Sequence, residues 1–279
     1  MIHLLFKKVT VRIRRLAWRA LTAIQPNRIY SFTLPDGGRF DYPLSSAIGY
    51  DLFAGWFEPA EVAFVRRHLR RGDIVLDVGA NAGLYTVIAA RQVGDAGHVY
   101  AFEPDDRALA LLRRNLAVNG LKNVTVIEAA VSDETGQRKF AAASDTALSS
   151  LAAIEREDQQ IEAWRTVPTV RLDEAVDAHR IEAVTFLKID VEGAEKLVLD
   201  GAPTLLARAP GGFTILFEAF ERNAEAFGYT VRDLLGILRS KGFDVRGFDR
   251  TLQLQPLDAL EPDIGKTVYN FVACKKQPE

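Results

Sequence analysis

The chain has one cysteine, four scattered histidines and almost no excess of charge. Cys274 has no second thiol to pair with, which excludes an internal disulfide and fits a reducing compartment. His3, His68, His98 and His179 do not fall at metal-ligand spacing, and with a single cysteine they offer no zinc site. A formal net charge of −2 and an isoelectric point near 6.2 give no overall pull toward nucleic acid. No internal repeat or low-complexity block is visible. What is present is 279 residues, 48% of them hydrophobic, ample for one sizeable core.

The first 28 residues lack acidic side chains altogether. They carry Lys7, Lys8, Arg12, Arg14, Arg15, Arg19 and Arg28, seven of the chain's 35 Lys and Arg. Leu5, Val9, Ile13, Leu16, Trp18 and Leu21 recur among these charges in a rough amphipathic helical pattern. The segment has neither the apolar length of a transmembrane helix nor a small-residue cleavage site behind an uncharged core, so neither a span nor a signal peptide is expected. Two readings stay open. One is a peripheral contact with anionic lipid; the other is a helix packed on the domain or a partner with its basic face solvated. Residues 1–50 are therefore expected to form a basic, helical or irregular extension, and 51–279 the main domain. The expected location is cytoplasmic, with membrane association left open by the basic segment.

From Asp73 the pattern alternates. "IVLDV", "HVYAF", "VTVIEAAVS", "TFLKIDV" and "FTILFEAF" read as apolar strands, and "GLYTVIAARQVG", "DDRALALLRRNLAVNG", "AEKLVLDGAPTLLAR" and "TVRDLLGILRSKG" as the helices between them. Such alternation predicts parallel strands covered on both faces. "FDVRGFD" and "TVYNFVACKK" close the chain as strands with no helix between them. The expected architecture is a Rossmann-like, doubly wound, mostly parallel sheet with an antiparallel edge strand, its ligands at the carboxyl ends of the strands. Asp36-Gly37-Gly38 reads as a turn between short strands. Residues 133–165 are the least regular stretch, either a flap over the site or a solvated insertion.

"DVGANAG" follows the first of these strands and opens a helix, the context in which a glycine loop is informative. Gly79 and Gly83 end the turn, and Asn81 stands where a dinucleotide site needs a glycine for close approach of pyrophosphate. That counts against a nucleotide-dependent oxidoreductase, the main alternative, and for a cofactor without a diphosphate. Glu103 ends the next strand and is placed to accept both ribose hydroxyls; its other role, capping the following helix, is already filled by Asp105. Asp77 either orients the glycine loop or faces the cofactor's ammonium. Asp133 either accepts an adenine amine or caps a turn with Gly136. A nucleoside without phosphates, bound beside an acidic loop, fits S-adenosylmethionine.

The blocks "IVLDVGANAGLYTVIAA", "GHVYAFEPD", "LLRRNLAVNGLKNVTVIEAAVSDETG" and "FLKIDVEGAEKLVLDGA", with "SSL" at Ser149–Leu151, resemble successive blocks of the FkbM-type S-adenosylmethionine-dependent methyltransferases. The resemblance runs from about Asp73 to Glu218 and leaves the first 50 or so residues uncovered. It implies a class I methyltransferase fold and methylation of a hydroxyl on a sugar, glycolipid, polysaccharide or other natural product. It places Gly79, Asn81, Gly83, Glu103 and Asp133 against the cofactor, with Tyr85 and Thr86 in the first helical turn, where Thr86 meets the methionine carboxylate. A non-catalytic module that keeps the fold for a partner is the third alternative.

A hydroxyl is a poor nucleophile until its proton leaves, so such an enzyme gains from a positioned base. Asp190 ends the fourth strand and is the candidate to take that proton or orient the acceptor. Glu192 lies in the turn that follows. Lys188 shares a sheet face with Asp190 if the strand is regular, and either holds that carboxylate ionised or packs lengthwise. The alternative has Asp190 and Glu192 anchoring the next helix through its N–H groups, with Glu195 serving the helix's first turn. A magnesium ion on Asp190, Glu192 and Glu218 is a further, lesser alternative.

Overall fold

The structure is a computed structural model in which residues 14–25, 28–55, 57–154 and 160–277 are described. Lys7, Lys8 and Arg12 of the basic segment lie outside the described residues, as do positions 155–159 of the irregular stretch. Among the described residues no helix is long and apolar enough to cross a membrane.

The main sheet is built from β3 (Ile74–Val78), β4 (His98–Phe102), β5 (Val124–Ile127), β9 (Val184–Ile189), β10 (Thr214–Glu218), β11 (Phe243–Phe248), β12 (Leu254–Pro256) and β13 (Asn270–Lys275). Its order is β12-β11-β13-β10-β9-β3-β4-β5. The run from β10 to β5 is parallel, whereas β13 is antiparallel to both β10 and β11, and edge strand β12 is antiparallel to β11. The closing strands are thus not a simple edge hairpin: β13 inserts between β10 and β11. The strand order reverses beside β3, with β4 on one side and β9 on the other, and a crevice at such a reversal is where a doubly wound sheet holds its ligand.

Alternation along the strands splits the core in two. Leu76, Val78, Leu187, Ile189, Ile215 and Phe217 face one layer. That layer holds α6 (Leu172–Ala178), α7 (Glu195–Asp200), α8 (Pro203–Arg208) and α10 (Val231–Ser240). Val75, Phe186 and Leu216 face the other layer, made by α3 (Pro59–His68), α4 (Leu84–Val93) and the hairpin of β1 (Ile29–Thr33) and β2 (Arg39–Pro43). On this second side Asp77 and Lys188 occupy the next inward positions of adjacent strands, in register with each other.

The hairpin belongs to the core. Phe40 and Tyr42 are buried and stacked, and Asn115 of α5 (Asp106–Val118) bonds both the N–H and the carbonyl of Asp41. Ahead of the hairpin, α1 is helical over residues 14–24 and rests on α2 (Ala47–Ala54).

Three readings of local structure change. "VTVIEAAVS" is two strands, β5 and then β6 (Ala130–Val131), which leaves the main sheet. β6 joins β7 (Gly136–Ala143) and β8 (Ile161–Val170) in a separate sheet, so the end of the irregular stretch is regular strand from Ile161. "AEKLVLDGAPTLLAR" is two helices, because Pro203 supplies no N–H to continue the first and starts the second. The short α9 (Glu221–Ala226) has no counterpart in the sequence reading.

Candidate active site

The glycine loop and the "KIDVEG" turn are locked to each other. Gly79 has φ +81, and a Cβ there would stand 1.8 Å from the carbonyl oxygen of Asp190, so only glycine fits. The Asp190 N–H in turn donates to the Val78 carbonyl at 3.0 Å. Asn81 also adopts a left-handed conformation, which asparagine tolerates better than most residues. Its N–H donates to Glu103 Oε2 at 2.8 Å, and its side-chain oxygen accepts from the Thr146 hydroxyl at 3.1 Å.

A cavity of about 250 Å³ opens at this junction. On one side lie Gly79, Asn81, Phe102, Glu103 and Val131 at the ends of β3, β4 and β6. On the other lie Asp190, Glu192 and Glu218 at the ends of β9 and β10, joined by Asp51 from α2 and Glu58 from the entry to α3. Residues 145–151 close over it, fastened by the Thr146–Asn81 bond and by Ser150, whose hydroxyl donates to the Glu192 carbonyl at 2.8 Å. This part of the irregular stretch is therefore a cover over the cavity and not a solvated insertion.

Glu103 is almost completely buried, and burial pushes its carboxyl up to about 7 against the pull of the Asn81 and Asp105 N–H groups. Asp105 caps α5 through the Arg107 N–H. Lys188 lies 3.0 Å from Asp190 Oδ2, 3.9 Å from Asp77 Oδ1 and 4.8 Å from the centre of the Tyr85 ring. Burial alone lowers a lysine, but Asp190, Asp77 and Glu58 outweigh it and raise this one, so the ammonium stays charged. Asp77 is fully buried; burial raises its carboxyl, against Lys188 and the Thr86 hydroxyl that donates to it at 2.5 Å. Glu58 is pushed up to about 7 by burial and by Asp190, and it accepts from the Tyr85 hydroxyl. Glu218 is raised by burial and then by Asp190 and Glu58.

The structure thus brings Gly79, Asn81, Glu103, Asp190, Glu192 and Glu218 to one cavity. Other residues singled out from the sequence lie elsewhere. Thr86 is buried and its hydroxyl donates to Asp77. Tyr85 sits beneath Lys188 and holds Glu58. Gly83 begins α4 against Leu112. Asp133 does not line the cavity; it is paired with Arg138 at 2.7 Å and accepts from the Ser132 hydroxyl. Glu195 is interior, accepting from the Gly193 N–H and the Tyr229 hydroxyl, and burial pushes it up to about 7. Among the described residues no group of three His, Cys, Asp or Glu is placed to hold a metal ion. Of the three acids considered for magnesium, Asp190 gives one oxygen to Lys188 and Glu192 gives Oε2 to the Asn223 amide at 2.8 Å. Glu58 and Asp51 were not legible as site residues. The one available signal was Glu58 standing before Pro59 at a helix start, where the chain must leave helical geometry.

A family model described as the methyltransferase FkbM domain matches residues 77–245. The chain belongs to the FkbM methyltransferase family. A curated FkbM relative, the 31-O-demethyl-FK506 methyltransferase of Streptomyces tacrolimicus, is 32% identical over 163 residues, 48% of this chain and 60% of that protein. A second, named "Probable cobalt-precorrin-6B C(15)-methyltransferase (decarboxylating)", from Pyrobaculum calidifontis, is 31% identical over 129 residues, 43% of this chain and 66% of that one. The chain therefore spans less than two thirds of either relative. A solved methyltransferase FkbM from Methylobacillus flagellatus aligns over 81% of this chain and 54% of its own, with 16% identity and a TM-score of 0.47. The cofactor of the FkbM family is S-adenosylmethionine, and the family replaces the oxidoreductase alternative. The residues present fit that cofactor. A loop that only glycine allows, a buried carboxyl at the end of β4 and the apolar Phe102 and Val131 suit a ribose and an adenine.

Proposed function

We propose that this chain methylates a hydroxyl oxygen of a neutral, hydroxyl-rich acceptor, such as a sugar, a glycolipid or polysaccharide, or another natural product. The observation that carries the proposal is the cavity itself, in which Glu103 and the glycine loop face Asp190, Glu192, Glu218, Glu58 and Asp51. Bound S-adenosylmethionine supplies a methyl group already activated on sulfur. Gly79 and Asn81 hold the cofactor side of the cavity, and Glu103 accepts the ribose hydroxyls. Asp190 accepts the acceptor's hydroxyl proton. Lys188 aims that carboxylate by bonding Oδ2, and no protein donor among the described residues bonds the other oxygen. Glu192 and Glu218 accept hydrogen bonds from further hydroxyls, which orients the reacting oxygen.

A neutral acceptor follows from charge. Five carboxyl groups line the acceptor side, Glu58 and Glu218 among them raised by burial, and the ammonium of Lys188 is committed to Asp190 and Asp77. A phosphate or carboxylate near the reacting oxygen would be repelled in a medium where charges interact strongly. The printed name of the Streptomyces relative gives an oxygen acceptor, which supports oxygen over carbon here.

The test is methyl transfer from tritiated S-adenosylmethionine to a panel of neutral oligosaccharides and glycolipids. Label should appear in a base-stable methyl ether, and Asp190→Asn should slow transfer about a hundredfold, as expected for loss of a general base. Label on nitrogen or carbon, or full speed in Asp190→Asn, would contradict the proposal.

A further inference from the structure

Among the described residues, helix α1 is held to the domain along one side. Arg14 Nη1 donates to the Ala54 carbonyl at 2.5 Å, and Trp18 Nε1 to the Leu44 carbonyl at 2.7 Å. The Trp18 ring meets Tyr50 edge-on, with centroids 5.0 Å apart. At 3.6 residues per turn, Arg14, Trp18, Leu21 and Thr22 share this inner face. The opposite face carries Leu16, Ala20, Ala23 and Ile24. Leu16 is 66% exposed and Ile24 76%, and both alanines are exposed. A helix that merely capped a soluble domain would turn polar side chains outward here. Along one edge of this apolar stripe stand Arg15 and Arg19, both exposed and in no ion pair among the described residues.

The surroundings give the face a direction. The first 28 residues hold seven Lys and Arg and no acid, so the outward side meets a negative surface without internal competition. The helix α2 beneath it contributes Ala47, Ile48 and Asp51 to the cavity. The apolar stripe and the acceptor side of the cavity are thus joined by one short helix.

We propose that the outward face of α1 rests on an anionic lipid surface, with Leu16 and Ile24 at the boundary of headgroups and acyl chains and Arg15 and Arg19 at lipid phosphates. The contact itself does not depend on methyl transfer. Its corollary, that the acceptor is presented from the membrane as a lipid-linked glycan, rests on the methyl-transfer reading.

The experiment is flotation of the full chain with phosphatidylcholine vesicles, with and without phosphatidylglycerol. The chain should float with the anionic vesicles and be released by salt. Arg15→Gln with Arg19→Gln should weaken partition about thirtyfold, at about 1 kcal/mol per arginine. Leu16→Ser with Ile24→Ser should abolish flotation. Melting temperature and affinity for S-adenosylhomocysteine should match the parent in both variants, which reports folding and keeps this test separate from the transferase reading. A parent chain that does not float, or variants that float as it does, would overturn the proposal. So would a concentration-dependent dimer that the Leu16 and Ile24 changes dissolve, because the stripe would then serve a second copy of the chain.

Discussion

Lys188 and Asp77 organise the site although neither lines the main cavity. In register on neighbouring strands, they place an ammonium beside a fully buried carboxylate, and the ammonium then reaches forward to Asp190. A buried charge is tolerated only with such partners, and removing one leaves the others exposed to the full cost of burial. Several carboxyls here carry that cost in part. Glu195 is pushed up to about 7 by burial, from an ordinary 4.5. The folded state then keeps a proton that the unfolded chain releases, so stability falls as pH rises from about 4.5 to about 7 and levels off above. Glu195→Gln keeps an acceptor for Gly193 and a polar partner for Tyr229, so it should flatten part of this fall, by about 3 kcal/mol at most. Thermal melts between pH 5 and pH 8 measure it; identical slopes for parent and variant would refute it. At this scale the sequence revealed residues that sit beside a motif. Asp190, Glu192 and Glu103 end strands next to a recognisable glycine loop, whereas Glu58 reaches the site only through tertiary packing from a helix start more than one element away.

The hairpin β1–β2 and the cover at 145–151 show what an element adds. Asn115 is completely buried and bonds the Asp41 N–H, the Asp41 carbonyl and the Ala82 carbonyl, tying the hairpin to the glycine loop. Asn115→Ala strands these groups without partners, at about 2 kcal/mol. It should lower the melting temperature by several degrees; an unchanged melting temperature would mean the hairpin contributes nothing to the domain. The parallel strands were legible because they are nearly continuous apolar runs between amphipathic helices. The second sheet was not. β7 opens as "GQRKF" and β8 carries Pro168 and several exposed residues, so neither has the alternation or the apolar density that marks a strand. The break between α7 and α8 was legible in Gly201-Ala202-Pro203 but was outweighed by the helical run on either side.

Across the whole molecule, charge is sorted. The cavity is lined by carboxyl groups, while the N-terminal segment holds exposed Arg15 and Arg19 beside an apolar stripe. The cavity lies where the strand order reverses, and the cover closes over that point. The central proposal is that the adenosyl group lies at the ends of β3 and β4 with Glu103 on its ribose. Calorimetric titration with S-adenosylhomocysteine tests it most directly. The parent chain should bind, Glu103→Gln should bind about tenfold or more weakly through loss of a charged hydrogen-bond acceptor, and Asp190→Asn should bind within a few-fold of the parent. A parent chain that does not bind, or a Glu103→Gln variant that binds as tightly as the parent, would contradict that placement.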